Sequence, residues 1–276
     1  AWHIATSGRP GPCLVDFPLS VQTSMVEDSA LRHFTPVPFE SSVGQLLGAA
    51  LAPEVTATLA RLRVAQRPLL WLGVGIRMAG AADQVAALVD SLGLPVLLSW
   101  SAIDLLPSDH PLVMGSAGVY GQRAANFILQ SCDCLVTIGT RLAIPQVGYD
   151  ISELARDATD ITVVDIDPTE LKKYPQRFNH PVQADAGDFI REMQRQVGTK
   201  TPPDRADWLV WCRHVRTRFP WIGPEHEDKD GFINSYRFMD RLVEHLKGDQ
   251  VVVTDMGTAL LSGHQSLPIT PPQRLI

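Results

Sequence analysis

The sequence has no long apolar run, no basic tract, no cysteine framework and no histidine pair, and each absence removes a class of function. No stretch approaches the roughly 20 apolar residues that span a bilayer, so spanning helices and a membrane partner are not expected. Lys and Arg total 24 against 30 Asp and Glu, a formal net charge of −6. The basic residues are scattered, which argues against nucleic acid or an anionic membrane as partner. The four cysteines, Cys13, Cys132, Cys134 and Cys212, form neither a disulfide pattern nor a C-x-x-C pair. Cys132 and Cys134 flank Asp133 and would share one face of a strand; they read as small core residues. The eight histidines show no H-x-x-x-H or H-E-x-x-H spacing. His226, between Glu225 and Glu227, reads as part of a solvated loop. No catalytic triad or paired-carboxylate signature is present. The opening residues do not read as a secretory leader, so a cytoplasmic protein is expected.

What is present is an ordinary globular composition, 45% hydrophobic and 20% charged over 276 residues. Residues 69–74, 95–99, 134–138 and 161–166 are short, rich in Val, Ile and Leu, and bounded by Gly, Pro or Asp. Continuous apolar runs of this kind fit strands buried on both faces of a parallel sheet. Between them the spacing is helical. Val85, Leu88, Val89 and Leu92 fall at i, i+3, i+4 and i+7, and Gly93 follows as a stop. Val55, Leu59 and Leu62 repeat the theme, as do Ala124, Phe127 and Ile128, and also Ile151, Leu154, Ala155 and Ala158. Strand–helix alternation predicts an α/β fold, a doubly wound, mostly parallel sheet with helices on both faces. Residues 20–52 read as a linker containing Pro36 and Pro38. Residues 198–231, with Pro202-Pro203, read as a second linker. Its stripe of Trp208, Trp211, Cys212, Val215 and Phe219 suits an arm packed on a neighbouring domain. Ser235 reads as the cap of a helix presenting Met239, Leu242, Val243 and Leu246 and ending at Gly248. A buried strand at residues 251–255 then opens onto Met256-Gly257.

Four loops carry the binding candidates. Gly73-Val74-Gly75 follows a strand and precedes a helix, where glycines let backbone N–H groups approach a phosphate. The next glycine is Gly80, so the G-x-G-x-x-G spacing is not met, and Ala81-Ala82 excludes a P-loop. Ser99-Trp100 replaces the acid expected after the second strand of an NAD site, so plain NAD binding is disfavoured. The second loop, Gly115-Ser116-Ala117-Gly118-Val119-Tyr120-Gly121, is not a nucleophile elbow around Ser116; it reads as a close-approach loop, for a ligand or for a neighbouring backbone. Gly139-Thr140-Arg141 and Asp165-Ile166-Asp167-Pro168 end two further strands. All four loops fall on the carboxyl edge of the predicted sheet, where open α/β sheets bind ligands.

In this order the pieces resemble the thiamine-diphosphate enzymes of the acetolactate synthase and pyruvate-decarboxylating group. Ala5-Thr6-Ser7-Gly8-Arg9-Pro10-Gly11-Pro12-Cys13-Leu14-Val15-Asp16-Phe17-Pro18 is similar to the end of that family's pyrimidine-binding domain: a helix end, a turn and a buried strand. Arg67-Pro68-Leu69 through Asp165-Ile166-Asp167-Pro168-Thr169-Glu170 to Ala184-Asp185-Ala186 resembles its central domain. Val252-Val253-Thr254-Asp255-Met256-Gly257 resembles the opening of its diphosphate-binding domain. The resemblance implies domains at 1–40, 41–197, 198–232 and 233–276. It also implies thiamine diphosphate with Mg, a 2-oxo acid substrate such as pyruvate, and a homodimeric or homotetrameric parent enzyme.

It further implies that the cofactor-activating glutamate would precede Ala1 and the metal-binding Gly-Asp-Gly…Asn would follow Ile276. The 276-residue chain by itself is therefore expected to be inactive. Cofactor-binding residues carried over are Met256, Gly257, Thr258 and Ala259 for the diphosphate, and Gly73, Gly75, Ser116, Arg141, Asp165 and Asp167 for FAD. No catalytic or metal residue is assigned. Leu142-Ala143-Ile144-Pro145-Gln146 stands where acetolactate synthases usually carry Phe-Asp-Asp-Arg. The departure resembles acetolactate-synthase-like proteins of surface-polysaccharide or unusual-sugar synthesis. The alternative is a non-catalytic nucleotide-binding or scaffold domain.

Overall fold

In the computed structural model, residues 1–7, 10–36, 46, 48–198 and 204–276 are described. They divide into two compact units, Ala1–Gln45 and Leu46–Ile276. Gly8-Arg9, Pro38, the boundary placed at residue 40 and Pro202-Pro203 lie outside the described residues. The first unit holds the short helices α1 (Trp2–Thr6) and α2 (Leu19–Gln22). The buried strand expected ahead of Pro18 does not form: Leu14 is 95% exposed. No described strand pairs with it, and a strand exists only as one side of a ladder.

The second unit is built on six parallel strands: β1 (Pro68–Leu72), β2 (Val96–Leu98), β3 (Val113–Gly115), β4 (Cys134–Ile138), β5 (Asp160–Asp165) and β6 (His180–Gln183). Their order is β3-β2-β1-β4-β5-β6, the doubly wound arrangement whose direction reverses between β1 and β4. Successive residues point to opposite faces. Leu70, Leu72, Val136 and Ile138 join one core. It packs against helices α3 (Ala52–Val64), α5 (Val85–Leu92) and α9 (Ala186–Val197). Leu69, Trp71, Leu135 and Val163 join the other core, under α6 (Arg123–Ser131) and α10 (Ala206–Arg218). Between these run the four-residue helices α4 (Gly75–Met78), α7 (Ile144–Val147) and α8 (Pro168–Leu171). Helix α5 stops where expected, with Gly93 left-handed at φ 61°.

Cys132 and Cys134 are both buried but on opposite cores. Cys132 precedes β4 as the C-cap of α6, so strand alternation does not apply to it. Residues 151–158 are not an α-helix. A 3-10 turn at Ile151–Glu153 follows an Asp150 cap. Ala155 then adopts φ 45°, and the Arg177 guanidinium takes the Leu154 and Ala155 carbonyls that a helix would use. Leu154, Ala155 and Ala158 are buried nonetheless.

Helix α10 lays Trp208, Cys212 and Val215 on the core of this sheet. The Trp208 indole donates to Pro68 O at 3.0 Å, and Trp211 stacks on Trp208. Helix α11 (Ser235–Leu242) is capped by Asn234, not Ser235: its side chain accepts from Tyr236 N at 2.9 Å. The helix ends at Leu242, before a 3-10 turn at Val243–His245, and not at Gly248. The strand that follows, β7 (Val251–Val252), is shorter than expected and not buried, Val253 being 74% exposed. Among the described residues it pairs with β8 (Arg274–Leu275) alone, in parallel. Helix α12 (Thr258–Ser266) crosses between them.

Candidate functional site

Because the six strands are parallel, the four candidate loops share the carboxyl edge of the sheet. At the reversal point the β1 and β4 loops interlock. Gly73 N donates to Ile138 O at 2.9 Å and Gly75 N to Gly139 O at 3.0 Å. A Cβ on Gly73 would lie 2.1 Å from Gly139 O, so the glycine serves the crossing of two backbones. Beyond that crossing the chain turns left-handed at two consecutive non-glycine residues, Arg141 (φ 59°) and Leu142 (φ 50°). Such backbone costs on the order of 1–3 kcal/mol per residue and persists only where its surroundings hold it. Leu142 is buried in the core. The Arg141 Nε donates to Glu170 Oε1 at 3.0 Å, and Lys173 also pairs with Glu170.

The β5 loop uses its own carboxylates. Asp165 Oδ1 accepts from Asp167 N at 2.9 Å, and Asp167 Oδ1 caps α8 through Thr169 N at 2.8 Å. The loop after β3 is closed in a similar way. Ser116 is buried, and its N–H donates to Gln122 Oε1 at 2.7 Å. Asn126 holds both the N–H and the carbonyl of Gly118. Gln122 Nε2 then donates to Gln265 O of α12 at 2.8 Å, and Gln265 Nε2 to Tyr120 O at 2.5 Å. The neighbour this glycine-rich loop approaches is thus α12.

The Met256-Gly257-Thr258-Ala259 turn has a different character. All four residues are exposed. Gly257 sits at φ 95°, with nothing within 4 Å of the place a Cβ would take. No side chain caps α12, so its first N–H groups are left for an external acceptor, and the helix dipole favours an anion there.

Two clusters were not singled out from sequence. Asp104, in the 3-10 segment Trp100–Leu105, has a carboxylate only 1% exposed. It accepts from Arg274 Nε at 2.7 Å and faces Arg77 Nη2 at 3.0 Å, the latter an ionic contact without an aligned N–H. The lone acid in Ala102-Ile103-Asp104-Leu105-Leu106 was the available signal. The second cluster surrounds Trp100, which stacks on Tyr120 at 6.2 Å and meets the His264 ring edge-on. Burial lowers the pKa of His264. Its Nδ1 and the Trp221 Nε1 are buried without a partner among the described residues, beside a cavity of about 20 Å³. That volume is enough for one water, with which each nitrogen could hydrogen-bond.

Residues 55–193, the stretch containing β1 to β6 and the loops on their edge, match the family described as thiamine pyrophosphate enzyme, central domain. The chain belongs to this family. It is 29% identical to the acetolactate synthase isozyme 1 large subunit of Escherichia coli (strain K12), over 99% of this chain and 46% of that protein. Against the isozyme 2 large subunit of the same organism the identity is 28%, over 100% and 46%. A probable acetolactate synthase large subunit of Methanocaldococcus jannaschii is 29% identical over 93% and 43%. The chain thus spans a little under half the length of these relatives. No described helix is long and apolar enough to cross a membrane.

Proposed function

We propose that this chain is part of a thiamine-diphosphate-dependent carboligase or decarboxylase, acetolactate synthase-like, acting on a 2-oxo acid such as pyruvate. The observation that carries the reading is the turn at Gly257. In a chain of this family, it supplies an exposed, left-handed glycine at the uncapped N-terminus of a nine-residue helix. A diphosphate fits that arrangement: the N–H groups at the start of α12 would hold its oxygens, and the bare Gly257 Cα would let them approach. When bound, thiamine diphosphate supplies the electron sink for decarboxylation. This chain's own part is to bind and orient. Residues Met256 to Ala259 form the cradle, and β7 and β8 fix its position. Among the described residues no cluster of three His, Cys, Asp or Glu could hold a metal ion, so magnesium is given no residue here.

An FAD site belongs to the same reading, at the sheet edge near Gly73, Gly75, Ser116, Arg141, Asp165 and Asp167. The N–H groups of Gly73, Gly75 and Ser116 already have protein acceptors, so the exposed Arg141 is the group we assign to a phosphate. Flavin absorbance in the purified protein, lost in Arg141→Ala, tests this. Within the proposal the parent enzyme is cytoplasmic and a homodimer or homotetramer.

The decisive experiment is calorimetric titration of thiamine diphosphate into the protein and into Gly257→Val. A β-branched residue at φ 95° is a strained outlier, so affinity should fall at least tenfold with the fold intact by circular dichroism. Equal affinity in the two proteins removes the turn from the site. Catalysis-free scaffolding, the competing reading, predicts no thiamine diphosphate binding in either.

A further inference from the structure

A cleft of about 1060 Å³ runs along the outer side of α6, away from the β1–β4 crossing and the Gly257 turn. Its lining includes Arg123, Phe127, Gln130, Arg156, Arg218 and Phe219. Phe219, at the end of α10, packs its ring 5.0 Å from that of Phe127. Two guanidiniums gather on this one ring, Arg123 Cζ and Arg218 Cζ each 5.7 Å from its centroid.

Many of the arginine donors elsewhere in this unit are committed, and what sets Arg123 and Arg218 apart is that both lie on one aromatic ring in a cleft. Arg77 and Arg274 meet Asp104, Arg177 meets the 154 and 155 carbonyls, and Arg216 donates to the Ser108 and Val113 carbonyls. Arg123 and Arg218 have no hydrogen bond or ion pair among the described residues. Stacking on an aromatic ring satisfies a guanidinium's face but leaves its five N–H donors, which lie in the plane of the fork. Two like charges held on one ring also repel, and an anion between them removes the cost. Arg156 already pairs with Glu153 at 3.3 Å, and Asp157 lies 3.8 Å from Arg67. Glu225 is the remaining acid on the rim and is exposed. The cleft has the volume of a small-molecule site, and its aromatic rings offer a stacking surface beside the cationic pair.

We propose that this cleft binds a phosphate ester of nucleotide size, its phosphate between Arg123 and Arg218 and its ring against Phe127. The inference is independent of the thiamine diphosphate reading. The test is calorimetric titration of the 276-residue protein with AMP, inorganic phosphate and adenosine at two salt concentrations. AMP should bind saturably and more tightly than either part, and more weakly at the higher salt. Arg123→Gln and Arg218→Gln should each weaken AMP binding about tenfold or more, the effect of losing one charge-assisted partner. Arg218→Lys should recover part of the affinity. Arg63→Gln, an exposed arginine on α3, should leave it unchanged. Thermal unfolding of each variant shows that the fold persists, and a variant that does not fold is replaced by the Lys form. Absence of saturable AMP binding overturns the proposal. So does binding that ignores both glutamine variants, or binding lost in Arg141→Gln, which would place AMP on the sheet edge.

Discussion

Replacing Asp104 by Asn should release the C-terminal layer of the second unit while the six-stranded sheet stays folded. The Asp104 carboxylate is 1% exposed and lies between Arg77, 27% exposed, and Arg274, 35% exposed. Removing one member of a buried ion pair costs about 3–5 kcal/mol, because the remaining charge loses its partner. Here the two guanidiniums can turn partly to water, and Asn still accepts one hydrogen bond, so ~2–3 kcal/mol is expected. What else holds that layer is limited. Ile103, Met239, Leu267, Ile269 and Leu275 form a small core, and Ser108 exchanges hydrogen bonds with Ile269. The central sheet rests on two much larger cores. Hydrogen exchange followed by mass spectrometry should therefore show residues 250–276 losing protection by a factor of roughly 30–150 in the Asn variant. Peptides covering β1 and β4 should exchange as before. Unchanged exchange at 250–276 would refute this role of the Asp104–Arg274 pair, and uniform loss across the chain would show Asp104 to be an ordinary core group.

Two further outcomes follow from burial. The thiols of Cys132, Cys134 and Cys212 are all pushed up by burial, Cys134 to about 12, whereas Cys13 is exposed. A thiol reagent at neutral pH should label one cysteine in the native protein and four after denaturation. Fast native labelling of a second thiol would contradict the placement of these side chains. His264 has its pKa lowered by burial, so the unfolded chain binds the proton more readily than the folded one. Its contribution to stability is present above the usual imidazole value of about 6.5 and is lost as pH falls below it. Denaturant unfolding should show stability falling from pH 7.5 to 5.5, with a smaller slope in His264→Gln. An equal slope in the two proteins would count against this.

The strands that sequence located lie in runs dominated by Val, Ile and Leu, because a strand buried on both faces leaves little room for polar side chains. β1, β4 and β5 fall within two residues of the expected positions, and β2 lies inside its expected run. The edge strands β3 and β6 carry no comparable run. One is three residues long and the other opens on His180-Pro181; pairing, not composition, makes them strands. Periodicity could not foresee that Ala155 turns left-handed and that Arg177 takes the carbonyls of the would-be helix. At the candidate site, the carboxyl-edge position of the four loops followed from strand–helix alternation alone. Which of them face a ligand did not, because a glycine that approaches a phosphate and one that approaches Gly139 O look alike in sequence. Asp104 stood visibly alone among apolar residues, but its partners Arg77 and Arg274 are 27 and 170 residues away.

Thiamine-diphosphate chemistry is the activity proposed for this chain. The most direct measurement is carbon dioxide release from labelled pyruvate by the enzyme expressed from the gene's whole reading frame, with and without added thiamine diphosphate. Release is expected to require the cofactor and to collapse in Gly257→Val. Cofactor-independent release, or none from any of several 2-oxo acids by a folded, cofactor-loaded protein, would contradict it.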